Sequence, residues 1–156
     1  MNNWRHLFLT GEFAPRAHIL SGLTLEQVST RPTGAPHSIF EELWHAAEWQ
    51  RLTLERDEAA LERWEGGVQF PPRPAPEDEA VWQALVRSFL SDSERAVRLS
   101  QNEAWLESDE TELSGFTWGN ALECLVVHSA YHMGKIVLLR QLLGVWSPPP
   151  ENAEAP

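Results

Sequence analysis

Three clusters of proline, glycine and small polar residues limit what this chain can fold into: "STRPTGAPHS" (29–38), "EGGVQFPPRPAPED" (65–78) and "TELSGFTWGN" (111–120). None of them can continue a helix. Between and before them lie helix-like segments of about twenty residues, with no convincing pair of period-2 strands. The spacing predicts an all-α chain, a four-helix bundle, forming a single domain over residues 1–146. The Pro-rich stretch 147–156 reads as a disordered tail.

The first helical segment runs from about Asn3 to Ser21, where Pro15 kinks or divides it. In "LTLEQVSTRP", Thr24 is a candidate cap for a short turn over Glu26–Ser29, and Pro32 stops it. The second helix opens at "SIFE", where Ser38 and Glu41 have the spacing of a capping box, and continues to about Leu61. The third opens on Glu77, Asp78 and Glu79, acids suited to the positive end of a helix dipole. The fourth starts near Asn120 and stops at Gly144.

Charge narrows the partners. The 156 residues hold 23 acids against 12 bases, a formal charge of −11. Such a surface repels phosphate backbones and anionic headgroups, so neither nucleic acid nor membrane is expected as a partner. The first ten residues lack a secretory leader, and the apolar run 121–143 is interrupted by Glu123, two histidines, Lys135 and Arg140. A lone cysteine, Cys124, excludes an intrachain disulfide framework. The expectation is a cytoplasmic protein.

Within the last helix, "HSAYH" places His128 and His132 about 40° apart on one face. That face also carries Cys124, Leu125, Ile136 and Leu139, so two polar rings point into apolar surroundings, where an unpartnered ring is costly. An i, i+4 pair can aim two nitrogens at one cation, but the intervening Glu of a zinc protease is missing. Two ligands do not make a site, and each ring can instead hydrogen-bond a neighbouring helix. The candidates for a third ligand are His6, His18, His37 and His45. His6 and His18 are about 120° apart on the first helix and read as surface or boundary residues. His37, in a Pro-rich turn, reads as solvent-exposed. His45 lies opposite the Ile39, Leu43, Ala46 and Ala47 stripe of the second helix, grouped with Trp49 and Leu52. The helix could bury two sides, but patterning alone does not bring His45 to His128.

The segments "SIFEELWH" (38–45) and "HSAYHMGKIVLLRQLLG" (128–144), in this order and with "LTLEQVSTRP" before them, resemble the DinB-like (DinB/YfiT) four-helix bundles. In that family one histidine comes from the second helix and two from the last. The resemblance covers nearly the whole chain, to about Trp146. It implies a divalent metal held by His45, His128 and His132, zinc or nickel ahead of iron or manganese. It also implies a homodimer and a small-molecule or thiol substrate. Characterised relatives include bacterial transferases and isomerases that use low-molecular-weight thiols such as bacillithiol, so a metal-dependent S-transferase or related hydrolase is one expectation. The alternative is a non-enzymatic bundle whose metal site is structural or vestigial. Met133 and Lys135 stand where the family often has Arg and Gln. Neither is a ligand position.

Other residues are secondary. Cys124 reads as a small buried hydrophobe. Glu42 and Glu48 are candidates for orienting a ligand imidazole, while Glu41 is committed to its cap. Tyr131 reads as packing or interface, and Arg140 as half of an ion pair. Trp44, Trp49 and Trp118 are candidate pocket walls.

Overall fold

A computed structural model describes residues 3–110 and 115–150. Part of the third connection (111–114) and most of the expected tail (151–156) lie outside the described residues. The fold is all-α, with no strand among the described residues beyond an isolated bridge between Asp109 and Thr117. The helices are α1 (Arg16–Leu20), α2 (Leu25–Ser29), α3 (Ile39–Glu55), α4 (Glu58–Glu65), α5 (Glu79–Leu99), α6 (Glu103–Glu107) and α7 (Trp118–Leu142). A single π-helical turn, His6–Thr10, precedes them.

The third and fourth expected helices are long and continuous; the first and second are each divided. The segment before "LTLEQV" breaks at Gly11 and Pro15 into the π turn and α1, since Pro15 has no N–H to donate and stands just ahead of α1 as its N-cap residue. The second helix also ends earlier than its pattern predicts. Arg56 turns left-handed at φ 57°, and Asp57 then caps a new helix by accepting the Ala60 N–H. That conformation costs a non-glycine residue about 1 kcal/mol, and the ion pair from Arg56 to Glu110 helps to offset it. The break folds α4 back, which brings Trp64 against Trp49 at 5.4 Å between ring centroids.

Caps define the remaining ends. Ser38 and Glu41 form the expected capping box, and Arg31 grips the Glu41 carboxylate from outside. Thr24 and Gln27 form another at α2. The α7 box is Thr117 with Asn120, one turn before the predicted start.

The core is organised around α3, which packs against both α5 and α7. Ile39, Leu43 and Ala46 of α3 meet Trp82 and Phe89 of α5 and Met133 and Ile136 of α7. A buried amide fixes the α3–α5 register, where Gln50 Nε2 donates to the Phe89 carbonyl at 2.9 Å and to Ser93 Oγ at 3.2 Å. By length and composition alone α7 is apolar enough to cross a membrane, with a mean hydropathy of 1.2 over an 18-residue window. Its buried side nevertheless forms the core with α3.

Arg140 departs from its predicted ion pair. It is buried near the end of α7, and its guanidinium donates to the carbonyls of Ile19, Ser21 and Val145. Backbone acceptors, rather than a carboxylate, tie α7 to α1.

Candidate metal centre

His45 sits mid-helix on α3, and His128 and His132 are one turn apart on α7. Packing α3 on α7 brings the three rings together, with nitrogen atoms that all lie within 4.8 Å of one another. Ring centroids are 4.5 Å apart for His45 and His132, 4.6 Å for the α7 pair and 5.1 Å for His45 and His128. The sequence left the aim of His45 open. It faces α7 because α3 buries both its sides, the second covered by Trp64 and by Phe70 of the Pro-rich loop.

The hydrogen-bond partners set the tautomers. His45 Nδ1 is 2.8 Å from the Gln69 carbonyl, which only accepts, so Nδ1 carries the proton and Nε2 presents a lone pair. His132 Nδ1 donates to Glu42 Oε2 at 2.7 Å, which leaves its Nε2 as the free acceptor. His128 Nε2 lies 3.1 Å from His45 Nε2, while its buried Nδ1 has no partner. In the metal-free protein, a proton on His128 Nε2 bridges the α3–α7 gap. A cation would satisfy all three inward nitrogens at once, so the residues fit a divalent ion. Burial, and then the charge that His132 and His45 would carry, pushes His128 down to about 4. Burial likewise lowers His45, against a raising influence from the Gln69 carbonyl. His128 is therefore neutral near pH 7, the form that binds metal.

Glu42 is the orienting carboxylate. It is 1% exposed, and its second oxygen accepts from Lys135 and from His37 Nδ1, the latter at 3.1 Å. Burial alone would raise this carboxyl, but the bonds from His132 and Lys135 hold it down at about 2. Glu48, the other candidate, is taken by Arg51 at 2.8 Å.

Several expectations need correction. His37 is not solvent-exposed: its ring stacks on Phe70 at 3.8 Å and bonds Glu42, because the Pro-rich loop folds across the start of α3. Cys124 is exposed rather than buried, since it lies at the edge of the α7 core face. Of the tryptophans, Trp49 faces His128 at 6.0 Å between centroids, whereas Trp118 stacks on Trp105 and Trp44 packs in the core. Tyr131 is exposed but presents its edge to His132. His6 bonds Thr10 and Glu12, and His18 bonds the Ser147 carbonyl, so neither joins the centre. Sequence reasoning missed Trp64, Gln69, Phe70 and the role of Lys135. Only Lys135 left a signal, one turn after His132 on the same face.

The family model described as the DinB superfamily matches residues 16–136. The chain belongs to the DinB superfamily. No curated protein and no solved structure matches it. The match runs through all three histidines of this DinB-superfamily protein and through Glu42 and Lys135.

Proposed function

We propose that this DinB-superfamily protein binds a divalent metal ion through His45, His128 and His132, and acts as a metal-dependent thiol S-transferase or hydrolase. Zinc or nickel is placed ahead of iron or manganese. The single observation that carries the reading is the pair of tautomers set by Gln69 and Glu42, which turn two Nε2 lone pairs toward His128. A bound divalent ion lowers the pKa of a water or thiol and so supplies a nucleophile near neutral pH.

The chain's own residues divide the remaining work. Glu42, with its charge balanced by Lys135, holds the His132 ring and its proton. Trp64 and Phe70 flank His45 and exclude water from that side. His128 is only half-buried and borders an apolar surface depression of about 570 Å³ lined by Glu123, Cys124, Val127 and Tyr131. A small molecule approaches from this side.

The same helix face supports a homodimer. Val127, Tyr131, Leu138 and Leu142 are 70%, 63%, 53% and 57% exposed and form one stripe along α7. A second copy packed there covers the stripe and walls the His128 mouth from outside. Val127→Glu with Leu138→Glu is then expected to give monomers by light scattering.

The test of the metal reading is elemental analysis of untagged protein, wild type against His45→Ala and His128→Ala. The expected result is near-stoichiometric metal in the wild type and loss in both variants. Metal retained after His45→Ala removes it from the centre. With the metal loaded, a screen of thiols against electrophiles and of simple esters separates an enzyme from a protein that only binds.

A further inference from the structure

A second cavity lies away from the histidines. It measures about 300 Å³ and is a half-open pocket between the N-terminal segment and α7. Leu7, Phe13, Ile19, Val126 and Met133 make its lining mostly apolar, and Arg16 is part of that lining. On α7, Ala130 also borders it, turned about 160° from His128. This volume reaches the range of small-molecule sites.

Arg16 is the unusual member. It is 3% exposed, and burial pushes its guanidinium down to about 10 with no acid to counter it. Its Nη2 donates to the Leu7 carbonyl at 2.8 Å, but its Nη1 is buried without a partner. The rings of Phe8 and Phe89 face the cation at 5.4 and 5.8 Å, a weaker match than a carboxylate. A buried cation without counter-charge is costly, so the position calls for an anion. The one acid on the lining, Glu12, has a side chain that is 94% exposed and pairs with His6.

The wall is built by local features that point the same way. The π-helical turn His6–Thr10 contributes His6 and Leu7, and such turns occur frequently at functional sites. Gly11 follows at φ 64°, and a Cβ there would meet the Ala14 carbonyl oxygen at 2.8 Å, so only glycine fits the bend. The family match begins at Arg16, which leaves the wall from Asn3 to Ala14 outside it. The floor includes Met133, where the resemblance anticipates Arg.

We propose that this cavity is a second ligand site, for a small amphipathic monocarboxylate whose head group pairs with Arg16 and whose apolar body lies along Leu7, Phe13, Ile19 and Met133. Nη1 is covered as the chain stands, so the head group reaches it after the lining shifts. The site is independent of the histidine centre.

Calorimetric titration of the full chain with octanoate and with octanol tests this. Octanoate is expected to bind at least about tenfold more tightly, the factor expected for one charge-assisted pair. Arg16→Met should erase that preference, Ala130→Phe should fill the cavity and block both ligands, and His128→Ala should change neither. No octanoate binding, equal binding of acid and alcohol, or octanoate binding that survives Ala130→Phe overturns the proposal. If Arg16→Met does not fold, Ala130→Phe decides alone.

Discussion

Replacing Glu42 by Gln tests how the centre is held. The carboxylate accepts from three donors: His132 Nδ1, Lys135 Nζ and His37 Nδ1. Glutamine keeps the shape but has one acceptor oxygen, and its amide donates, so only one of the two carboxylate positions can still accept from these donors. Lys135 is 29% exposed at its side chain and can turn to solvent, whereas His132 at 5% cannot. Losing a charge-assisted bond in a buried place costs about 1–3 kcal/mol of folding stability. His132 is then free to adopt the other tautomer, and a nearby negative charge is gone. Changes to groups that orient a metal-binding histidine weaken metal affinity about 10–100-fold, equivalent to about 1.4–2.7 kcal/mol. Zinc titration against a competing chelator at neutral pH, with urea unfolding of the metal-free protein, measures both effects. A variant that loses stability but binds zinc within about threefold of wild type would refute the positioning role and leave Glu42 a purely structural acid.

Other expectations follow from the same packing. Trp64→Ala opens a hole beside His45, and removing a nearly buried tryptophan should cost about 3 kcal/mol in urea unfolding, with weaker zinc binding in the same titration. Gln50→Ala breaks the α3–α5 bonds and should cost about 1–3 kcal/mol while leaving zinc affinity unchanged, because the Gln50 amide bonds α5 rather than the histidines. For Glu41, burial alone would raise the carboxyl, but bonds from Arg31 and Ser38 outweigh it and leave it below its ordinary value. Its contribution to stability is complete above the unfolded value near about 4.3 and is lost as pH falls through the lower folded value. Glu41→Gln should therefore flatten the acid limb of stability measured by urea midpoints from pH 7 downward.

Helix existence was legible because proline and glycine punctuate the chain and caps follow short-range rules: Ser38 and Thr24 act where their spacing implies, whereas Asp78, read only as a dipole acid, turns out to cap α5. The break at Arg56 was not legible, since α3 and α4 share an apolar rhythm and the left-handed residue is an arginine rather than a glycine. His128 and His132 announced themselves by periodicity. His45 did not, because the cover on its side comes from Trp64, Gln69 and Phe70, where no regular pattern points to α3. The same loop explains His37, which a local reading leaves in solvent. Cys124 and Arg140 were misplaced for a related reason: helical phase gives a direction but not where a neighbouring element stops.

One feature of the centre can be read as a pairing rule between two helices. On α3, Glu42, His45 and Trp49 follow an i, i+3, i+7 spacing; on α7, His128, His132 and Lys135 follow i, i+4, i+7. Each set therefore forms a single stripe. The contacts run in opposite order along the two stripes: Glu42 meets Lys135 and His132, His45 meets His132 and His128, and Trp49 meets His128. This is the order that antiparallel packing requires. A slip of one helical turn, about 5.4 Å, would set Glu42 beside the wrong α7 residues and leave a buried carboxylate without its cation, a penalty of several kcal/mol. The Glu42–Lys135 pair thus does more than orient His132. It penalises every register in which the three histidines fail to meet, so the same charges that tune the centre also help to assemble it.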